Sequence, residues 1–523
     1  MKELTFEYKK IKAICLAALI LPTLFFFLGW IRLAFSIPLT IALLAAFFFA
    51  VFRDSDERTI KISPKELILI ALAVTAWCFL TGIGGFTASK TDMFWRNPIY
   101  ADLILKDWPV RYEGSLKGYG LSYYIGYWLI PGSVAKIFTF LGEDAAWNIG
   151  RVALVVWSSA LVFLCALLLK NYTGAKGFKP TVIMLLLLVF FSDMDVISMC
   201  TQTALNNMPE AFFDQGRQFD TTTNCWVFSS MSAQLAWVFN QSVPAWLATL
   251  LFLNERSAKC YALIGLSLLI TSPMPLVGIF VFMIAFAVRD LIRKAKDGRL
   301  KEGIFSIVSV SNALAAISIF PPVAMYITSN KSSGSMVFGL GYAAIHWKSY
   351  LAFLIGCHIV TVLVLFRKKR MFESILLLCS FLIIPLVFMG TAAFDVVNYP
   401  YDRAAFSDFC MRTSIPAIVI LMAMVGKYLF NEYDFRNSIR SKILTLVLVL
   451  GLLAPSEDIV SSVVGAVDPS KSFFYPYSKS MMSLEEMEPA DVFVVDTDGS
   501  IREEESNFLC ITEDSNFFRY LAR

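Results

Sequence analysis

Long apolar runs separated by polar connectors organise the chain. A helix needs about 20 apolar residues to cross the hydrocarbon core of a bilayer. Runs of this kind are predicted at 12–30, 36–52, 66–83, 147–169, 181–198, 233–253, 260–272, 275–289, 303–327, 349–366, 373–391, 412–430 and 442–460, about thirteen in all. The pair meeting at Ser272-Pro273-Met274-Pro275 is short and reads as a helical hairpin that turns below the surface. Residues 117–141 are apolar too, but aromatic, punctuated by glycine and interrupted by Pro131. The pattern predicts an all-α polytopic membrane protein, with a transmembrane domain over 1–460 and a small external C-terminal segment over 461–523.

Charge decides the role of 117–141. If this segment lies in the membrane interface, every basic connector falls on one side: 1–12, 53–65, 170–179, 254–259, 289–301, 367–370 and 427–442. Lys and Arg concentrate in cytoplasmic loops, so the interfacial placement is selected. Its Tyr and Trp residues at 119, 123, 124, 127 and 128 suit an interfacial helix. The basic N-terminus followed by Ile14–Trp30 then reads as a retained signal-anchor helix with a cytoplasmic start. The external side receives 84–146, 199–232, 328–348, 392–411 and the tail, which is predicted to hold a strand turning at Asp498-Gly499.

Composition narrows the function classes. Of 523 residues, 57% are hydrophobic and 16% charged, whereas soluble domains carry about 25% charged residues. A soluble enzyme is therefore excluded. Ten Cys without a CxxC pair and only two His argue against a zinc centre. Nothing in the basic residues suggests nucleic acid. Cys200 and Cys225 share one external loop, where a disulfide is one reading and two free thiols the other.

Candidate chemistry gathers at the external helix ends. Asp92 and Arg96 are i and i+4 and share a face if that stretch is helical. Asp102, Asp107 and Arg111 follow. The plain reading is a solvated ion pair; the functional one is a carboxylate facing a cavity, where an acid among apolar residues acts as a base or binds metal. Asp193 and Asp195 end an apolar run. They either terminate a helix at the interface or join Asp92 around a hard divalent cation such as Mg2+ or Mn2+. Glu210 lies in a polar stretch beyond them. Arg403 and Arg412 precede an apolar run; a guanidinium at that depth pairs with an acid, grips phosphate bidentately, or snorkels. His346 is a lone external histidine and His358 a packed one. Asn240 and Gln241 before Pro244 suit helix–helix hydrogen bonding.

With a long first external loop that opens on Asp92 and Arg96 and continues into the aromatic 117–141 segment, the chain resembles the GT-C superfamily of integral membrane glycosyltransferases. Its members include the oligosaccharyltransferase catalytic subunit, protein O-mannosyltransferases and the lipid A aminoarabinose transferase. The segments DFCMRTSIPA and NFFRYLAR also look like those of bacterial membrane proteins grouped with it. The resemblance implies transfer of a sugar from a polyprenyl-phosphate donor to a glycan, lipid or protein acceptor outside the cytoplasmic membrane. Asp92 would be the base or metal-linked carboxylate, helped by Asp195 or Asp193. Arg412 or Arg403 would hold the donor phosphate, and Arg96, Asp102, His346 and Glu210 would line the substrate site. The chain departs from the pattern in two spans before the core, in Thr91-Asp92 where some members carry an acidic pair, and in lacking a WWDYG motif. The rival classes are a transporter or lipid flippase, for which midplane groups and inverted repeats would speak, and a non-catalytic partner in envelope assembly.

Overall fold

The computed structural model describes residues 3–52, 56–206, 225–330, 336–398, 407–468, 482–495 and 501–523. The chain opens with β1 (Leu4–Glu7), α1 (Tyr8–Trp30) and α2 (Leu33–Phe52), then β2 (Thr59–Ile62) and α3 (Pro64–Leu80). The first large loop holds α4 (Met93–Leu105), β3 (Tyr119–Leu121) and α5 (Gly126–Ile137). It leads into α6 (Glu143–Thr173), α7 (Phe178–Phe190), α8 (Asp195–Asn206), α9 (Met231–Asn254), α10 (Tyr261–Leu266), α11 (Pro273–Lys296), α12 (Leu300–Ile307) and α13 (Val310–Ile327). Then come β4 (Met336–Phe338), α14 (Leu340–Ile345), α15 (Trp347–Gly356), α16 (Ile359–Leu365), α17 (Met371–Ile383), β5 (Val387–Met389) and α18 (Thr391–Asn398). Last are α19 (Asp408–Thr413), α20 (Ile415–Asn431), α21 (Ile439–Leu450), α22 (Leu453–Val467) and strands β6 (Phe493–Val495), β7 (Ile501–Ser506) and β8 (Leu509–Ile511).

Ten helical segments among the described residues are long and apolar enough to cross a membrane. Five of them are composites of two successive helices, such as α7 with α8, α15 with α16 and α21 with α22. The three other predicted spans fall on shorter helices: α3 with 17 residues, α10 with 6 and α17 with 13. Pro385 and strand β5 end the α17 stretch early. The centre of the bundle is α9, whose candidate membrane window is 94% buried, together with α19–α20, whose window is 100% buried. Gly278 of α11 lets this centre close up, since a Cβ there would stand 2.1 Å from the Thr413 carbonyl oxygen.

The two ends of the bundle differ in chemistry. At one end the basic connectors interlock. Lys12 pairs with Glu255 at 2.6 Å, Lys170 with Glu66 at 2.7 Å, and Arg58 donates to the Asn254 carbonyl. Arg367 and Arg370 share Glu432. Ser63 caps α3 through a reciprocal bond with Glu66, so the helix start and the ion pair reinforce one another. At the other end the long connectors join each other instead: Ala88 N donates to Ser462 O, Ser407 N to Cys225 O, and Trp226 Nε1 to Pro385 O.

The tail belongs to this second end. β8 pairs antiparallel with β3, β7 pairs with β6, and the turn expected at Asp498-Gly499 lies outside the described residues. Phe517 is buried on Phe26 and Tyr326, and Arg32 Nε donates to the Ala522 carbonyl.

The 117–141 segment departs from its sequence expectation in one respect. α5 has 12 residues, about 18 Å of helix, too short to span. However, Tyr127 and Trp128 are buried against neighbouring helices instead of lying spread on a surface. Only the far end exposes apolar side chains, at Val134, Ile137, Phe140 and Leu141. Of the two readings for Cys200 and Cys225, the free thiols hold, the first exposed on α8 and the second buried.

Candidate active site

The residues at this end that carry chemistry come in two matching pairs. Asp92 stands at the start of α4, and its Oδ2 receives Arg96 Nη2 at 2.6 Å. Asp408 stands in the first turn of α19, and its Oδ1 receives Arg412 Nη2 at 3.1 Å. Both pairs are spaced i,i+4, which brings the side chains onto one helix face. Both carboxylates occupy the helix start, where the backbone dipole favours negative charge. Ser407 secures the second start by accepting from Cys410 N.

The fold brings these pairs together. Arg96 and Arg412 act on one another electrostatically, Asp92 acts on Arg412, and Tyr123 and Tyr124 act on both guanidinium groups. Arg412 Nη1 donates to Tyr124 Oη at 3.0 Å, and Tyr123 donates to the same oxygen. Burial first, and Tyr124 second, hold the Tyr123 phenol well above its ordinary range, so it stays protonated. Arg96 also donates to the backbone carbonyl of Trp237. The residue after that carbonyl, Val238, leaves helical angles (φ −134°, ψ 33°), which kinks α9 just below Arg96.

Depth separates the charges. The Asp92 and Asp408 side chains are 32% and 47% exposed, whereas those of Arg96 and Arg412 are 4% and 9% exposed. The carboxylates form a rim and the guanidiniums a floor. Among the described residues, Arg412 Nε is buried there with no hydrogen-bond partner. A buried unpartnered donor is uncommon and calls for an acceptor. Behind the floor, Lys90 Nζ lies 2.6 Å from Asp458 and over the ring of Trp237, whose Nε1 donates to the same carboxylate.

The remaining sequence candidates lie elsewhere. Asp102 is fully buried and receives Ser483 Oγ at 2.6 Å, Tyr112 Oη at 2.9 Å and Leu484 N at 3.2 Å, which makes it a latch between α4 and the tail. Burial pushes its carboxyl up to about 6, against the pull of those bonds. Asp193 precedes α8 in a break between helices, and Asp195 opens α8. The Ser192 hydroxyl contacts both carboxylates, at 3.5 and 3.1 Å. This break meets that of α15–α16, through Met194 N to Gly356 O, and that of α21–α22, where a Cβ on Gly451 would touch the Asp193 carbonyl. The Asp92 carboxylate has guanidinium groups for neighbours. Among the described residues no group of three or more His, Cys, Asp or Glu is placed to hold a metal ion. His346 packs on Tyr342 with ring centroids 4.3 Å apart and the planes tilted by 45°. Glu210 and Arg403 lie outside the described residues.

Sequence reasoning placed Asp408 beside Arg412 ahead of the span but gave it no role, although Asp408-X3-Arg412 repeats the spacing of Asp92-X3-Arg96. It also missed Lys90 with Asp458; an acid inside the predicted 442–460 span was the available signal, because a charge at that depth requires a partner. The chain matches no protein-family model, no curated protein and no solved structure.

Proposed function

We propose that the chain is a GT-C-type membrane glycosyltransferase that takes a sugar from a polyprenyl-phosphate donor at the end of the bundle bearing the Asp–Arg pairs. The observation that carries this reading is the unfilled Nε of Arg412 on a floor of two buried guanidiniums, one-third-exposed Asp92 standing at its rim. A guanidinium floor suits a phosphate. The acceptor hydroxyl attacks the anomeric carbon, the bond from that carbon to the phosphate oxygen breaks, and its electron pair leaves with the phosphate. Arg412 and Arg96 stabilise the charge that grows there. Asp92 takes the hydroxyl proton.

Orientation in the membrane follows from the same reading. The interlocked basic connectors occupy the opposite end, so the positive-inside rule puts the site on the external face, with the N-terminus in the cytoplasm and the tail outside. Membrane lipid supplies the donor. The acceptor is a glycan, a lipid or a protein.

The test is donor turnover by purified protein in lipid, with and without Mg2+ or Mn2+, across a panel of polyprenyl-phosphate sugars. Release of polyprenyl phosphate is expected from wild type and is expected to fall at least a hundredfold in Asp92→Asn, with folding unchanged. Full activity in that variant removes Asp92 from the mechanism, and no release from any donor removes the reaction.

Transport is the second reading. It rests on the fully buried Asn240 and Gln241 amides of α9, all four of whose polar atoms lack partners among the described residues, and on the three helix breaks that meet around Asp193.

A further inference from the structure

Beyond the Asp–Arg cluster, the same end of the molecule holds an open pocket of 140 Å3 where the end of α13 faces the tail. We propose that this pocket binds one sugar unit of the acceptor through its hydroxyls, an inference that rests on the glycosyltransferase reading.

The lining selects the ligand. Thr328, Ser329, Asp514, Ser515 and Asn516 supply its polar wall, and among the described residues neither Lys nor Arg lines it. The hydroxyl protons of two of these residues are committed inward: Thr328 donates to Ala324 O and Ser329 to Met325 O, each at 2.8 Å. Ser515 accepts Phe518 N and lies 2.6 Å from the Ser329 oxygen. The hydroxyls therefore face the pocket chiefly with lone pairs, and the Asp514 carboxylate is acceptor-only. Such a wall repels phosphate and welcomes hydroxyl donors. Met325 and Ile511 add aliphatic surface, which suits the C–H face of a pyranose and gives nothing to a bare ammonium group. The volume is below the roughly 300–1,000 Å3 of sites for drug-sized ligands, so the pocket takes a single unit.

The pocket is also joined to the site. Asn330, just past the pocket wall on α13, donates to Ser122 O at 3.1 Å, and Ser122 Oγ donates to Tyr326 O at 3.0 Å. Tyr123 N donates to Tyr326 Oη, and the Tyr123 ring meets Phe508, one residue before β8. Cys510 and Ile511, which line the pocket, are two of the three residues of β8 that pair with β3. The two pocket walls thus grip the segment that ends in Tyr123 and Tyr124, the partners of Arg412. A cationic floor for the donor phosphate and an acceptor-rich pocket for sugar hydroxyls lie at one end of one bundle.

The experiment is saturation-transfer NMR on the full chain in lipid nanodiscs, with a panel of free monosaccharides and with ethanolamine as the ammonium control. Neither donor nor turnover is needed, so failure of the catalytic reading leaves this measurement intact. Wild type is expected to bind at least one monosaccharide. The exposed-side variants Asp514→Ala and Asn516→Ala are expected to bind it at least tenfold more weakly. Equal binding by these variants, binding of ethanolamine alone, or no monosaccharide signal overturns the proposal. Where donor turnover is established, the same variants are expected to raise the acceptor KM about tenfold and leave the donor KM unchanged; an unchanged acceptor KM overturns the acceptor role while the transferase reading stands.

Discussion

Lys90 and Asp458 provide the sharpest test of how the site is held. The Lys90 side chain is 0% exposed, that of Asp458 8%, and their charged atoms are 2.6 Å apart. Removing one partner of such a pair strands a buried charge and costs about 3–5 kcal/mol, while replacing both with apolar residues of similar volume is near neutral or stabilising. Lys90→Met keeps the stem and deletes the charge, leaving Asp458 with the Trp237 Nε1 contact at 3.3 Å. Asp458→Leu deletes the other charge. Each single variant is therefore expected to lose about 3 kcal/mol or more, and the double variant to recover most of that loss. The chain carries its own reporter. Eight of its cysteines are free and buried, and only Cys200 and Cys379 are exposed. A thiol-reactive fluorogenic dye therefore reads unfolding on heating in detergent, over a small constant baseline. Because such melts are often irreversible, variants are compared at one heating rate. If the double variant melts no higher than the worse single one, the pair is not coupled and the argument from burial fails.

Two further outcomes follow from buried polar groups. The Asp102 carboxyl, raised to about 6 in the folded chain, stands at about 3.9 when unfolded. The folded state thus binds this proton more tightly. Its contribution is fully present below about pH 4 and is lost as pH rises through 6, at most about 3 kcal/mol for a shift of that size. Asp102→Asn is expected to flatten that slope in melts between pH 4 and 7; an unchanged slope rules out Asp102 as its source. Asn240→Leu replaces a fully buried amide whose polar atoms have no partners. It is expected to leave stability equal or raise it by about 1 kcal/mol. A loss of 2 kcal/mol or more in the same dye assay contradicts the absence of partners, and loss of solute uptake instead favours transport.

Much of the architecture was legible because lipid imposes a simple rule on sequence. A segment in hydrocarbon satisfies its backbone within a helix, so apolar length alone located the ten long segments, α2 and α9 among them. Breaks within those segments were harder to see. Phe191 to Met194, Cys357 with His358, and Gly451 with Leu452 interrupt apolar runs that hydropathy reads as continuous. Irregular backbone is tolerated at such depth where other protein covers it, and that cover comes from segments distant in sequence: Gly356 receives Met194, and Gly451 packs on Asp193. The burial of α5 was hidden for a similar reason. Tyr127 and Trp128 look interfacial in sequence because their rings are amphipathic, yet Tyr127 finds the Ser158 hydroxyl at 2.7 Å, which lets it sit inside.

The site shows the same division between local and distant information. A guanidinium at the depth of Arg412 is expensive alone, so its own helix supplies Asp408 one turn away, as α4 supplies Asp92 to Arg96. That spacing is local and can be read from four residues. Convergence of the two pairs is not local. It needs the α9 kink at Val238 to receive Arg96, and the strand pairing of β3 with β8 to carry Tyr124 to Arg412. The outcome is a cluster whose formal charges cancel, two Asp against two Arg, so it is stable when empty. On the proposed glycosyltransferase reading, an arriving phosphate would compete with the rim carboxylates for the floor. Arg412 Nε, which no carboxylate among the described residues occupies, would give that phosphate a first contact that requires no pair to break. If the proposed transfer holds, a neutral, self-paired cluster with one donor left open would suit holding a phosphate briefly, and releasing it after the bond has broken, better than binding it permanently.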